Sequence, residues 1–276
     1  MSLLQVVVLA IVQAVTEFLP ISSSAHLALA PWLLGWPDQG LTFDIALHVG
    51  TLLALILYFY REWLDIISNA FNFSYKGHET FRRNRRMLWF LAVATIPLGI
   101  GGLIFHDSAE TSWRHNHFLI GGMLIGVGLL MWIAERAGAQ KKPMESVSFA
   151  DSLSIGAAQA LAIVPGVSRS GITMTAGLFR GLDRATTARF SFLLATPAIG
   201  AAALKASYDL WKQGGIPPAM HTQFVLGVIL SAAAGCAVIA WFLRFIQRRS
   251  LHFFIYYRII FGIIVIALAF SRRPAG

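Results

Sequence analysis

The chain has 276 residues, of which 57% are apolar and only 13% are charged, whereas charged residues make up about a quarter of an ordinary soluble domain. This composition and a mean hydropathy of +0.66 exclude an ordinary soluble domain and predict an integral membrane protein. The net charge of +9 could indicate nucleic-acid binding, but a basic excess in a membrane protein usually collects in cytoplasmic loops, so we expect no nucleic-acid partner.

The first predicted element is a broken hairpin over residues 3–34. An apolar run, Leu3–Leu19, is followed by Pro20, by three serines at 22–24 and by a second short run that ends at Leu34. Proline breaks a helix, and a polar loop at membrane depth is tolerated only where protein or water surrounds it. The pattern therefore predicts a re-entrant helix–loop–helix hairpin.

Three apolar runs without charge follow, each near the roughly 20 residues that cross a bilayer: Ile45–Tyr60, Met87–Phe105 and Phe118–Ala134. A second broken hairpin over 152–180 has Pro165 and Gly166 at its centre. Three more runs complete the chain: Phe190–Leu204, Gln223–Leu243 and Leu251–Phe270. Arg258 interrupts the last of them, and we expect it to pair inside the protein.

The order of elements predicts an all-α polytopic membrane protein with six transmembrane helices and two re-entrant hairpins. It forms one membrane domain over 1–276, with a first repeat over 1–136 and a second over 150–271. Gln13 and Pro20 to Ser23 in the first repeat parallel Gln159 and Pro165 to Ser168 in the second. Because each repeat contains three spans, the second would have inverted topology, and paired broken segments indicate a site near the membrane midplane.

Basic residues predict the orientation. If the loop 61–86 is cytoplasmic, fifteen of the 22 Lys and Arg residues lie on that side and five lie outside. The positive-inside rule then places both termini outside, with the outward pair Arg272 and Arg273 as the main exception.

Glu17 is the first candidate for chemistry, because an acid deep in an apolar segment is costly and usually functional. Gln13 lies four residues earlier, on the same helical face. Ser22, Ser23 and Ser24 offer hydroxyls that cap the next helix, and Ser23 shares a face with His26, so the two could act on one group. Alternatively, Glu17 lies near the outer interface or pairs with an arginine.

The second loop supplies Arg169, which needs an anionic partner in the membrane. It lies in a turn that opens a helix, where backbone N–H groups and the helix dipole attract anions, and its guanidinium suits phosphate. The predicted phosphate ligands are Ser22, Ser24, Ser168, Arg169, Ser170, Gly171 and Thr173. The alternative is a gating role or an ion pair with Glu17.

Other polar residues have structural interpretations. His48 reads as a core histidine with its hydrogen bonds satisfied, and Asp183, Arg184 and Arg189 read as an interfacial loop. The basic stretch 82–86 is predicted to flank a helix on the cytoplasmic side.

The two loop motifs, Gln13 to His26 and Pro165 to Thr173, together resemble the undecaprenyl-diphosphate phosphatases of the bacitracin-resistance (BacA) type. The likeness extends through Phe43 to Gly50 and Phe190 to Ala195, and loosely along nearly the whole chain. The resemblance implies a bacterial inner-membrane enzyme that removes one phosphate from the C55 lipid carrier diphosphate and thereby recycles the carrier for peptidoglycan synthesis. It also implies an outward-facing active site, homodimers and a divalent cation, Mg²⁺ or Ca²⁺.

By position, the resemblance assigns catalytic roles to Glu17, Ser23, His26 and Arg169. The first acidic position of the family motif is often Glu, whereas this chain has Gln13, and a neutral amide binds a hard cation less well than a carboxylate. Metal ligation by Glu17 with Gln13 is therefore open.

We expect phosphoryl transfer with Ser23 as the nucleophile or as the residue that positions a water, while His26 and Glu17 supply acid–base catalysis. The sequence leaves three routes open: a phosphoserine intermediate, attack by His26 and direct hydrolysis. A competing hypothesis is a flippase or transporter of an anionic lipid, because inverted repeats with broken helices are typical of transporters.

Overall fold

A computed structural model describes residues 1–73, 84–137 and 140–272. Within these ranges, five helices are long and apolar enough to cross a membrane, and a bent pair of helices makes a sixth if it counts as one span. The prediction of an all-α, multi-pass membrane protein is confirmed. Lys76, Arg82, Arg83 and Arg273, which entered the charge count, lie outside the described residues.

In the described residues up to 137, the chain forms six α-helices. The first hairpin consists of α1 (Leu3–Phe18) and α2 (Ser23–Leu34). The helices that follow are α3 (Gly40–Tyr58), α4 (Tyr60–Ala70), α5 (Met87–Ser108) and α6 (His117–Ala137), with a π-helical turn between α5 and α6.

Residues 140–272, the described part of the second half, form five α-helices. The second hairpin consists of α7 (Phe149–Gln159), which a 3-10 turn extends to Ile163, and α8 (Arg169–Phe179). The helices that follow are α9 (Arg184–Lys212), α10 (His221–Ile246) and α11 (His252–Ser271).

Two features of the spans differ from the sequence prediction. The first span bends by 69° at Phe59 and continues as α4, a helix inside the region expected to be a loop. It was missed because its apolar residues alternate with charged ones, as on a helix with one apolar face, and do not form a charge-free run. The expectation of an interfacial loop at 183–189 was also wrong, because Asp183 caps α9 and Arg184 is its first residue.

The hairpins pack against spans of the opposite half. Helix α1 lies along α10, and α7 lies along α5, while α3 packs on α10 and α6 packs on α11. A chain of buried phenylalanines joins these layers, with ring centroids 5.5–6.1 Å apart: Phe18, Phe59, Phe192, Phe242 and Phe254. Phe18 is the last residue of α1, so this aromatic core is joined directly to the loop that follows α1.

Candidate active site

The first loop begins its second helix at a strained serine. Ser22 has φ +80°, and its side chain accepts a hydrogen bond from the Ala25 N–H at 3.4 Å. Positive φ is uncommon for a residue with a side chain, so the surrounding structure must hold Ser22 in this conformation. The result places Ser23 at the first position of α2.

The second loop repeats this arrangement. Ser168 has φ +70°, and its hydroxyl accepts from the Gly171 N–H at 3.1 Å, so Arg169 is the first residue of α8. Gly166 precedes the turn with φ +94°, and a Cβ there would come within 2.6 Å of the Ile120 carbonyl oxygen. Only glycine meets both requirements.

The two loops contact each other although they are far apart in sequence. Arg169 Nη2 forms an ion pair with Glu17 Oε1, and Ser170 donates to the Leu19 carbonyl at 3.0 Å. The alternative of a Glu17–Arg169 pair is therefore confirmed. Both residues lie in this junction, and the Glu17 side chain is only 3% exposed.

The carboxylate of Glu17 also contacts the first loop. Ser23 Oγ donates to Glu17 Oε2 at 2.6 Å, and Gln13 Nε2 donates to the same oxygen at 3.2 Å. Both carboxylate oxygens thus accept hydrogen bonds. Ser23, Glu17 and Arg169 form a continuous line of hydroxyl, carboxylate and guanidinium, which we call the Ser–Glu–Arg line.

His26 has partners outside this line. Its Nδ1 lies 2.7 Å from the Ser22 carbonyl oxygen, and its Nε2 lies 2.7 Å from the Tyr257 hydroxyl. Because a carbonyl only accepts, Nδ1 carries the hydrogen, and in the neutral ring Nε2 accepts from Tyr257. Ser23 bonds to Glu17 and His26 to Tyr257 in this arrangement, and the action of Ser23 and His26 on one group stays a prediction.

The similarity to known proteins extends over both loops. The sequence model of the family described as "Bacitracin resistance protein BacA" matches residues 6–264. The chain belongs to this family. Proteins named "Undecaprenyl-diphosphatase" from Thermodesulfovibrio yellowstonii and Pelotomaculum thermopropionicum are 44% and 46% identical over 98% and 99% of this chain, covering 99% of each relative. A third of that name, from Gemmatimonas aurantiaca, is 46% identical over 99% of this chain and 100% of its own length.

The remaining predicted phosphate ligands of this BacA-family chain differ in the exposure of their side chains. Ser24 is exposed, and its hydroxyl lies 3.2 Å from that of Ser22. Ser168 and Ser170 are buried with their hydroxyls 3.3 Å apart, and Thr173 donates to the Arg169 carbonyl at 2.7 Å. These hydroxyls hold the loops in shape, and their contact with phosphate stays a prediction.

Three residues of the site were not predicted from the sequence. His48 lies within electrostatic range of Glu17, while its Nδ1 bonds to the Asp44 carbonyl at 2.8 Å. Tyr257 bonds to His26, and Arg258 contacts the main chain of both loops. The only signal in the sequence was the charge of Arg258 inside an apolar run.

The BacA resemblance implies a divalent cation, which oxygen atoms of the site would have to bind. In the described part of the chain, no three His, Cys, Asp or Glu side chains are grouped to hold a metal ion. Gln13 Oε1, however, is buried beside Glu17 and has no hydrogen-bond partner among the described residues. An amide oxygen and one carboxylate fit a cation that is shared with substrate phosphates, as Mg²⁺ often is.

Proposed function

We propose that this protein hydrolyses undecaprenyl diphosphate to undecaprenyl phosphate and inorganic phosphate. The names of relatives that align over nearly the whole chain support the substrate. The single observation that carries the chemistry is the 2.6 Å hydrogen bond from Ser23 Oγ to Glu17 Oε2. A hydroxyl bonded to a buried carboxylate is a nucleophile paired with a base.

In the proposed reaction, Ser23 Oγ attacks the terminal phosphorus while its proton passes to Glu17. The new Oγ–P bond replaces the bond from phosphorus to the bridging oxygen, which leaves with the polyprenyl phosphate. Glu17 passes this proton to the departing polyprenyl phosphate. Water then attacks the phosphoserine and gives a proton to Glu17, while the Oγ–P bond breaks and inorganic phosphate leaves. Glu17 returns the proton to Ser23 Oγ, so it accepts one proton in each half of the reaction.

Arg169 and the two helix starts supply the positive potential for the diphosphate. The N-termini of α2 and α8 flank the Ser–Glu–Arg line, and backbone N–H groups at a helix start favour anions. In the resting site Arg169 is paired with Glu17. An incoming phosphate competes for the guanidinium, and the carboxylate that is released becomes a stronger base toward Ser23.

We propose His26 as a supporting residue and not as the nucleophile. Both of its ring nitrogens are engaged, one by the Ser22 carbonyl and the other by Tyr257. Its imidazole therefore orders the first turn of α2 and remains available to hydrogen-bond a phosphate oxygen after Tyr257 moves. This arrangement favours the phosphoserine route over attack by His26.

A divalent cation, Mg²⁺ or Ca²⁺, belongs to the proposal as well. As the alternative to its role as base, Glu17 would hold the cation with Gln13 Oε1 and the substrate phosphates, and the charge of the cation would neutralise the phosphate oxygens. Gln13 contributes no charge, so the protein offers one carboxylate where many relatives are expected to offer two.

We further propose that the protein lies in the bacterial inner membrane with both termini and the site facing outward. The fifteen-to-five distribution of basic residues supports this orientation. Release of the carrier at that face would return it to peptidoglycan synthesis and would confer bacitracin resistance. Homodimers remain an expectation from the resemblance.

The test is phosphate release from undecaprenyl diphosphate by the purified protein in detergent, followed by trapping with substrate labelled in the terminal phosphate. We expect label on the wild-type protein and none on Ser23→Ala. Ser24→Ala is the matched control, because Ser24 is the neighbouring serine and bonds to Ser22 instead of Glu17. It should lose much less activity.

Label that persists in Ser23→Ala would contradict the serine nucleophile. Absence of phosphate release by folded wild-type protein would contradict the phosphatase function. Movement of the lipid across vesicle membranes without release would instead support the transporter hypothesis.

A further inference from the structure

Arg258 is a charged side chain with no exposed surface, in the middle of α11. Its guanidinium donates to Pro20 O at 3.0 Å, which belongs to the first loop. It also donates to Gly166 O and Val167 O, both at 2.9 Å, which belong to the second loop. Two further bonds reach the carbonyls of Met123 and Leu124 on α6 at 3.4 and 3.2 Å.

These partners are all main-chain carbonyls. Within the described residues, no ion pair joins Arg258 to a carboxylate, whereas Arg169 is paired with Glu17. A buried cation without an anionic partner is costly, and it is tolerated here because five carbonyl dipoles surround it. Arginine suits this position because its donors form a rigid planar fork, whereas lysine has a single nitrogen.

The second loop is built around this guanidinium. A Cβ on Gly171 would lie 2.8 Å from Arg258 Nη1, so the glycine in the first turn of α8 leaves the space that the arginine occupies. The two carbonyls that Arg258 holds on this loop belong to Gly166 and Val167, the two residues directly before Ser168. The carbonyl on the first loop lies three residues after Glu17 and three before Ser23.

We infer that Arg258 is a positioning residue that holds the two loops in register, so that Ser23, Glu17 and Arg169 meet. It acts on the reaction through the loop backbones and not by contact with the reacting atoms. This inference rests on the proposed function for its kinetic consequences. The loop geometry itself can be measured without any reaction.

Arg258→Lys keeps the positive charge but removes the planar guanidinium and its set of hydrogen-bond donors. Misplacement of reacting groups by 1 Å can cost about 100-fold in rate, so we expect kcat to fall by roughly that factor. KM should change little, because the positive charge that attracts the diphosphate is retained. Arg258→Met removes the charge as well, and both kcat and KM should worsen.

Arg184→Lys serves as the control, because Arg184 binds the buried Glu135 at 2.7 Å and contacts neither loop. It should keep kcat near the wild-type value even if its thermal midpoint falls. The inference is overturned if Arg258→Lys retains kcat within a factor of about two, or if Arg184→Lys loses kcat to the same extent.

A second pair of variants keeps the arginine in place. Gly171→Ala should lower kcat on the order of tenfold by displacing Arg258 Nη1. Gly177→Ala lies on the same helix, and its Cβ would be similarly crowded, 2.9 Å from Thr187 Cγ2, but it is remote from Arg258. Equal losses in both variants would overturn the inference.

Hydrogen exchange separates this inference from the proposed function. In Arg258→Lys, the amides of residues 19–25 and 164–171 should exchange faster than in the wild type, while those of α10 should not. Unchanged exchange in both loops would overturn the inference whatever the protein hydrolyses. Lack of phosphate release by the wild type would count against the proposed function alone.

Discussion

The Glu17 carboxylate accepts hydrogen bonds from the side chains of Gln13, Ser23 and Arg169. Each donor helps to fix the orientation of the carboxylate and partly offsets its negative charge. Gln13 is the donor that distinguishes this chain from the acidic pattern expected of the family. The amide satisfies one lone pair without adding charge. The site therefore holds one negative and one positive side chain along the Ser–Glu–Arg line, which leaves the helix starts free to attract phosphate.

Gln13→Glu changes this balance. Two carboxylates at hydrogen-bond distance repel each other, and a divalent cation relieves the repulsion. We expect the variant to depend on added Mg²⁺ or Ca²⁺ more strongly than the wild type. The measurement is the ratio of phosphate release with and without a chelator, and equal ratios in the two proteins would contradict the expectation.

Tyr257→Phe tests the orientation of His26. The phenyl ring preserves the stacking beside His26, but the 2.7 Å hydrogen bond to Nε2 is lost. We expect a loss of several-fold in kcat with little change in the thermal midpoint, because a partly exposed hydrogen bond contributes about 1 kcal/mol. Tyr256→Phe, which changes the neighbouring exposed tyrosine, should behave as the wild type; matching losses would refute the assignment.

The sequence predicted the identity of these residues better than their partners. Glu17 and Arg169 stand out because charge is rare in apolar runs. Whether Ser23 faces Glu17 or His26 depends on the positive φ of Ser22, which no residue spacing reveals. The bond from Tyr257 to His26 joins residues 231 positions apart, and only the packing of α2 against α11 brings them together.

At the scale of elements, the two hairpins share the same backbone conformation at the start of their second helices. Ser22 and Ser168 both cap the second helix with positive φ, and each hydroxyl lies beside that of the serine two residues later. Helix α1 packs on α10 as α7 packs on α5. We propose that these parallels reflect the predicted inverted repeat, with the proposed nucleophile Ser23 and the proposed phosphate ligand Arg169 at equivalent positions. This match of Ser22 with Ser168 differs by one residue from the parallel in the sequence, which set Ser23 against Ser168.

The strained caps make a testable contrast. Positive φ costs a residue with a side chain on the order of 1–3 kcal/mol, and glycine avoids this cost. Ser168→Ala loses the cap and keeps the strain, whereas Ser168→Gly loses the cap and relieves the strain. The glycine variant should therefore unfold at the higher temperature, and the opposite order would show that the turn is not strained.

Hydropathy and helix breakers were sufficient to predict the hairpins and the spans, because a bilayer requires long apolar helices and excludes exposed loops. They were insufficient for α4, where Glu62 and Asp65 interrupt the apolar pattern. They also missed the start of α9, since Asp183, Arg184 and Arg189 were predicted to form an interfacial loop. An ion pair with the buried Glu135 stabilises the charged side chain of Arg184 at the start of α9.

At the scale of the whole molecule, orientation is the property most open to measurement. Cys236 is the only cysteine, so Cys236→Ser provides a thiol-free background. We expect an impermeant thiol reagent to label Gln213→Cys in intact cells and Arg248→Cys only after the membrane is opened. Both positions are exposed in the structure. The reverse pattern of labelling would overturn the outward orientation of the termini.

The place of Arg258 in the chain has a consequence for biogenesis. Synthesis proceeds from the N-terminus, and α11 is the last of the described helices to leave the ribosome. The loops that carry Glu17, Ser23 and Arg169 are then already in the membrane, but the guanidinium that joins them arrives with the final helix. Catalytic competence would therefore appear in one late step of assembly, and nascent chains that lack α11 would insert without being able to cleave the carrier.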